Sequence, residues 1–355
     1  MNIDLENKNI WQQAAGDANR NYVGICLDWN VILNGPGYDL PWPKCRDKII
    51  NNSSSRKATD IRRFGEEMKP GDIVVLRMRT YQIFGVGIIV GGYEFKECFS
   101  DVDGWKLKHV RRVKWLWGDK NKPKEFDTHT LKLGDTTQSL DKIKSKEVVE
   151  WIKDLDIPKE KFNQEITKLP EQGEMIKRED ISEYLFDRGV ASQIINDLHD
   201  EIDELIRIAN WYSRKSNPSE TETVAYLTIP LLRTLGWTPQ RMGIEWNKID
   251  IALFNNLPRK NPNLSAVVEA KKKGRSCLTA WSQAQKYADE KNSNSCKRLV
   301  VTDGIRYGVY IKENNTFVNS PKAYLNLTQL RKNYPIYECE GAREALYIMS
   351  SYWNP

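Results

Sequence analysis

One carboxylate placed where a carboxylate is costly constrains this chain more than any other feature. Asp250 stands inside Lys248-Ile-Asp-Ile-Ala-Leu253, a short apolar, β-branched run that reads as a strand. A lone carboxylate in such a strand needs a purpose and a partner. The next strand-like run, Leu264-Ser-Ala-Val-Val-Glu-Ala270, carries Glu269 near its end and is followed by Lys271. Alternate residues of a strand share a face, so Glu269 and Lys271 point one way and Ala270 the other. An antiparallel pairing with Asp250 opposite Glu269 puts Phe254 opposite Ser265. It leaves a loop at 255–264 that is rich in turn residues.

The order of elements around this pair predicts a sandwich. A helix over about 220–235 has Ser219 as its N-cap and Gly236 as its stop, and it carries Glu222. Strands follow at about 243–246, 249–254 and 264–270, then a helix at about 278–290. Two strands at 298–302 and 307–311 precede a terminal helix around 342–352. Helix, three strands, helix, two strands is the order of an α/β sandwich. Before it, Ile195, Leu198, Ile202, Leu205, Ala209 and Tyr212 recur at three- and four-residue spacings, one face of a helix. Its other face is acidic, with Asp197, Asp200, Glu201, Asp203 and Glu204, which argues against contact with DNA. This helix either packs inside the chain or forms a dimer seam.

With 355 residues the chain has room for two domains. From Trp11 to about Trp117 the runs are short, β-branched or aromatic, and bounded by Gly, Pro and Asp, as in Gly71-Asp-Ile-Val-Val-Leu-Arg77. A small β-barrel or strongly bent sheet is expected there. The expected organisation is α+β and α/β: a β-barrel domain over 1–135, a helical connector over 136–215, and a sandwich domain over 216–355.

Six cysteines without a C-x-x-C pair and only three histidines argue against a structural zinc site. The net charge of +6 rules out a uniformly basic coat but leaves room for a local basic face. No apolar run approaches membrane-spanning length and the N-terminus lacks signal-peptide character, so a soluble cytoplasmic protein is expected.

Two facing carboxylates resist joint ionisation unless a divalent cation lies between them. Magnesium suits one or two carboxylates plus a substrate phosphate, and Lys271 would then orient or deprotonate an attacking water. Lys272, Lys273 and Arg275, next along the chain, suit phosphate contacts. Each piece also has a plain reading: Glu-x-Lys as a surface ion pair, Asp250 as a turn cap, the basic cluster as a solvated loop.

At these residues the chain resembles the PD-(D/E)XK nuclease superfamily, most closely the nuclease domain of type I restriction motor subunits. The similar stretch runs from Glu220 to the C-terminus and includes Glu222 to Trp237, Asp250, Val268-Glu-Ala-Lys271, Gln283-x-x-x-Tyr287 and Thr302-Asp-Gly304. The resemblance implies that Asp250 and Glu269, with Ala270, hold magnesium and that Lys271 is catalytic. It also implies that Glu222 is the helical acidic residue, and that Gln283 and Tyr287 form the Q-x-x-x-Y element. Lys248-Ile249 stands where the first motif of the superfamily often carries proline. No G-x-x-x-x-G-K-[ST] loop is present, so ATP-driven translocation is not expected of this sequence.

Six of the twelve tryptophans fall early, and Trp42 and Trp105 lie in loop-like stretches. Aromatics on loops beside a basic strand such as Lys108-His-Val-Arg-Arg-Val-Lys114, which carries Arg111 and Arg112, can stack an extruded base. Met68-Lys-Pro-Gly-Asp-Ile-Val-Val-Leu76 with the glycine-rich Val86 to Gly92 strand resembles the PUA-like group that includes EVE domains. That resemblance implies a pocket for a modified base, walled by Tyr22, Trp42 and Trp105, with Asp103 accepting from a base edge.

The combination leads to an expected modification-dependent DNA endonuclease of the type IV restriction kind. It would use magnesium, act on double-stranded DNA carrying a modified base, and work as a homodimer. Two alternatives stay open: a nuclease directed at RNA, and a binding module without catalysis.

Overall fold

The computed structural model describes residues 3–17, 19–35, 39–51, 56–131, 134–290 and 295–354. Pro36, Gly37 and Tyr38, part of the loop-like stretch before Trp42, lie outside the described residues. The chain divides into two compact units, Met1–Glu171 and Gln172–Pro355, both mixtures of helix and strand. No helix among the described residues is long and apolar enough to cross a membrane.

The first unit is built on one curled sheet. Its main strands are β1 (Ile10–Ala14), β2 (Val31–Asn34), β3 (Ile73–Met78), β4 (Gln82–Phe95), β5 (His109–Gly118) and β6 (Thr137–Ser139). Their order is β2-β5-β4-β3-β1-β6, with β1 and β3 parallel. Every residue of β3 is buried, as its apolar run Ile73–Leu76 predicts for a strand covered on both faces, and Arg77 is buried with its guanidinium donating to Arg79 O and Asp135 O. Close approach shapes β4: a Cβ at Gly87 would lie 2.5 Å from Val113 Cγ1, and the β4–β5 register shifts between Val86 and Gly87.

The sheet curls but its backbone pairing does not close, so the expected barrel is a half-barrel. Side chains join the two edges at one end. Asn34 Nδ2 donates to Thr137 Oγ1 at 3.0 Å, Thr137 Oγ1 donates to Gln13 Oε1 at 2.8 Å, and Gln13 Nε2 donates to Leu33 O at 2.9 Å.

The stretch 136–215 is not a separate connector. Its first part carries helix α1 (Lys146–Lys153), whose Val148 and Ile152 join Ile73, Val75 and Val86 in one core. Its second part, from Gln172 onward, belongs to the other unit. Apolar burial on each side assigns the two halves, because a connector with a buried apolar stripe has somewhere to put it.

In the second unit a nine-stranded mixed sheet lies between helices. Its leading strands are β7 (Met242–Trp246), β8 (Ile249–Phe254), β9 (Leu264–Ala270), β10 (Arg298–Thr302), β11 (Arg306–Glu313) and β12 (Ala323–Asn326), side by side in that order. Only the β9–β10 pair among them is parallel. On one face Ile251, Leu253, Val268 and Val300 pack with α2 (Ser192–Lys215), the helical run Glu220–Thr234 and the helix Ala342–Met349. On the other, Ala252, Val267 and Leu299 pack with Ala284 and Ala288 of α3 (Trp281–Glu290). All six periodic apolar residues of α2 are buried.

Candidate active site

The register of β8 and β9 sets the geometry. Ile251 pairs with Val268, Ala252 with Val267 and Leu253 with Ala266, a progression that carries Asp250 to Glu269. A shift between Leu253 and Phe254 then pairs Phe254 with Leu264 rather than Ser265, so the turn is shorter than the sequence suggested. Ala270 contributes backbone only: its N–H donates to Asp250 Oδ2 at 2.7 Å, while its methyl joins the opposite core.

Glu269 is 0% exposed, and its Oε2 is buried without a hydrogen-bond partner. Its Oε1 receives only a long contact from the Asp250 N–H, 3.4 Å. Burial, and then the charge of Asp250, push the Glu269 carboxyl up to about 8. Burial raises Asp250 as well, against the lowering effect of the Ala270 N–H. An orphaned buried carboxylate oxygen beside a second carboxylate is a donor set for a hard cation. Among the described residues no group of three or more His, Cys, Asp or Glu could hold a metal ion. Two carboxylates, one with an unpartnered oxygen, have the donor chemistry of a site that leaves most of a hard cation's coordination to water and substrate.

Lys271 shares the face of Glu269, and its Nζ donates to Gln283 Oε1 at 3.1 Å. Gln283 in turn donates to the Tyr287 hydroxyl at 3.4 Å, one helical turn along α3. The three residues come together although 16 positions of sequence span them.

The helical carboxylate differs from expectation. Ser219 Oγ accepts from the Glu222 N–H at 3.1 Å, and Glu222 Oε2 accepts from the Ser219 N–H at 2.7 Å, a reciprocal capping box. Glu222 Oε1 takes the Tyr212 hydroxyl at 3.3 Å. Glu222 is thus occupied in holding the helix start. Glu220, two residues earlier, is the helical carboxylate whose charge raises both Asp250 and Glu269. The sequence reading missed it, although Ser219-Glu-Thr-Glu222 spells the S-x-x-E capping signature.

Of the neighbouring cations, Arg275 is exposed, and Lys272 adds only a minor lowering to a Glu222 carboxyl already held down by its hydrogen bonds with Ser219. Lys273 is tied down, its Nζ donating to Ser213 Oγ at 2.6 Å and its N–H to Thr223 Oγ1 at 3.2 Å.

In the first unit the expected base-binding residues separate. Trp42 is buried against Cys45, Ile49, Ala58 and Ile61 and is the first residue of the helix Trp42–Ile50, not a loop aromatic. Arg111 spends its guanidinium on the carbonyls of Phe64, at 2.8 Å, and Gly65, at 3.0 Å. Arg112 donates to Thr167 O. Both arginines serve the fold, because a guanidinium on a covered strand must find acceptors nearby. Asp103 is buried in the turn that precedes Trp105.

Arg20, not anticipated from the sequence, is linked separately to Trp105 and to Tyr22. The Arg20 guanidinium lies 4.4 Å from the Trp105 ring centroid and acts electrostatically on Tyr22. Burial raises the half-buried Tyr22 hydroxyl, which donates to Ala14 O at 3.3 Å. Lys57, also within electrostatic reach of Arg20, is pushed down to about 8 by burial and donates to Asn34 Oδ1 at 2.7 Å.

Residues 25–140 match a family model described as a domain of unknown function, DUF8426. No curated protein matches. Among solved structures, the YTH domain of the Zygosaccharomyces rouxii MRB1 protein, in complex with N6-methyladenosine RNA, is similar at 10% identity and a TM-score of 0.24. The match covers 43% of this chain and 91% of that one.

Proposed function

We propose that this chain is a divalent-metal-dependent endonuclease of the PD-(D/E)XK kind that acts on double-stranded DNA carrying a modified base. The observation that carries the reading is Glu269, buried with one oxygen unpartnered, facing Asp250 on a strand that runs into Lys271. A bound magnesium ion would neutralise the carboxylate pair and polarise a phosphate oxygen. Asp250 and Glu269 would hold it, and Glu220 adds negative charge from the helix start. Lys271, aimed by Gln283, orients an attacking water and offsets charge developing on the phosphate.

In the first unit Tyr22, Trp105, Arg20 and Lys57 support a reader for an extruded base, with aromatic rings for stacking and cations for an electron-rich substituent. Two copies would supply one centre per DNA strand, hence a homodimer, and the biological setting would be type IV restriction.

The test is incubation of the protein and magnesium with modified phage DNA, its unmodified counterpart and structured RNA. Cleavage confined to modified DNA, reduced about 100-fold or more in Lys271→Ala, is expected. Equal cleavage of both DNAs removes the reader, preference for RNA moves the substrate class, and no cleavage of any removes the nuclease.

A further inference from the structure

Helix α2 changes charge along its length rather than only around it. It is acidic from Asp197 to Glu204, where Arg207 pairs with Glu204, and basic over its last turn, with Arg214 and Lys215. Arg207, Trp211 and Arg214 fall at i, i+4 and i+7, one stripe on the surface. Trp211 is 51% exposed, on a helix whose core-facing residues are all buried. The stripe borders a shallow, open depression lined by Asp203, Ile206, Arg207, Asn210, Ser213 and Arg214.

At its basic end the lining is tied to the chain segment that follows Lys271. Ser213, in the lining, takes the Lys273 ammonium at 2.6 Å, and Lys273 is two residues beyond Lys271. Tyr212 donates to Glu222, and its near neighbour Tyr226 is a second exposed aromatic, at 54%. Arginine and lysine at a helix C-terminus complement its dipole, and that alone accounts for the charges. It does not account for two half-exposed aromatic rings beside them.

We propose that this face is a track for an unpaired nucleic-acid strand. Trp211 and Tyr226 offer ring faces to bases, and Arg214 and Lys215 contact phosphates. A base inside a duplex has both faces covered, so the track selects unpaired nucleotides, and stacking makes it tolerant of sequence. The inference deepens the nuclease reading and rests on it only for the fate of the strand, not for its binding.

The test uses the full chain in EDTA, where cleavage plays no part, with fluorescence anisotropy of a labelled unmodified oligothymidine and of a duplex of equal length. Trp211→Ala is expected to weaken single-strand binding about 10-fold and duplex binding less than about two-fold, while Trp211→Phe retains most of the affinity. Arg214→Ala should reduce the salt dependence of single-strand binding by about one phosphate's share. Circular dichroism establishes that each variant is folded. Unchanged single-strand affinity in folded Trp211→Ala and Tyr226→Ala overturns the proposal. So does a Trp211→Ala change in sedimentation without a change in strand binding, which would assign the face to a second copy. Failure of the nuclease reading would show instead as absent cleavage with magnesium, with strand binding intact.

Discussion

Glu269 holds its proton in the folded chain across a range where the unfolded chain has lost it. Its carboxyl, raised to about 8, is protonated in the native state from the ordinary glutamate range up to that value. The native state therefore binds more protons, and stability falls as pH rises through this window, the loss being complete above about pH 8. Glu269→Gln should flatten that slope, matching the wild type near pH 5 and melting higher than it near pH 9, by thermal denaturation without metal. Magnesium should raise the wild-type melting temperature most at the alkaline end and leave Glu269→Gln unaffected. At this scale the sequence was legible where strand alternation fixes direction, as for Asp250, Glu269 and Lys271. It was illegible where two like residues compete for one role: Glu220 and Glu222 are separated by which of them satisfies the helix's first amides. Trp42 misled because prolines on both sides suggest a loop, whereas proline in the first turn of a helix costs no hydrogen bond.

Among elements, the helical run Glu220–Thr234 positions Glu220 and is not uniform, since Val224–Thr228 forms a π-helical turn. That turn packs on Gly304 in the β10–β11 connection. Gly304 has φ +84°, and a Cβ there would lie 2.6 Å from Leu227 Cβ and 2.9 Å from Thr223 Cγ2. Gly304→Ala combines a disfavoured backbone with a clash against the helix, so a loss of about 1–3 kcal/mol is expected, read from the urea midpoint. The glycine of Thr302-Asp-Gly304 was visible in sequence, but its neighbour 77 positions away was not. The same limit hid β1 and β2. Five- and four-residue runs give little periodicity, and β1 finds its place by parallel pairing with a strand 63 residues on.

For the whole molecule, the two units each own a core, and the boundary near Glu171 falls inside the stretch read as a connector. Charge and scattered prolines disguised it, while the buried residues of α1 and α2 decide to which unit each half belongs. A fragment spanning 172–355 is expected to unfold in one cooperative transition, checked by circular dichroism melting; a chain that stays unstructured would show that the core needs the rest. The half-barrel carries a further consequence, for how copies of this protein behave toward one another. An open sheet has edges, and an edge strand with free amides is a template for a neighbour's backbone. Here the buried Asp60 carboxylate accepts from the Thr136 N–H at 2.9 Å and the Thr137 N–H at 2.8 Å, beside the short edge strand β6. One aspartate thus occupies both amides at the start of that edge strand. Asp60→Ala would strip two amides of their acceptor, and light scattering that grows with concentration in a still-folded protein is the expected sign.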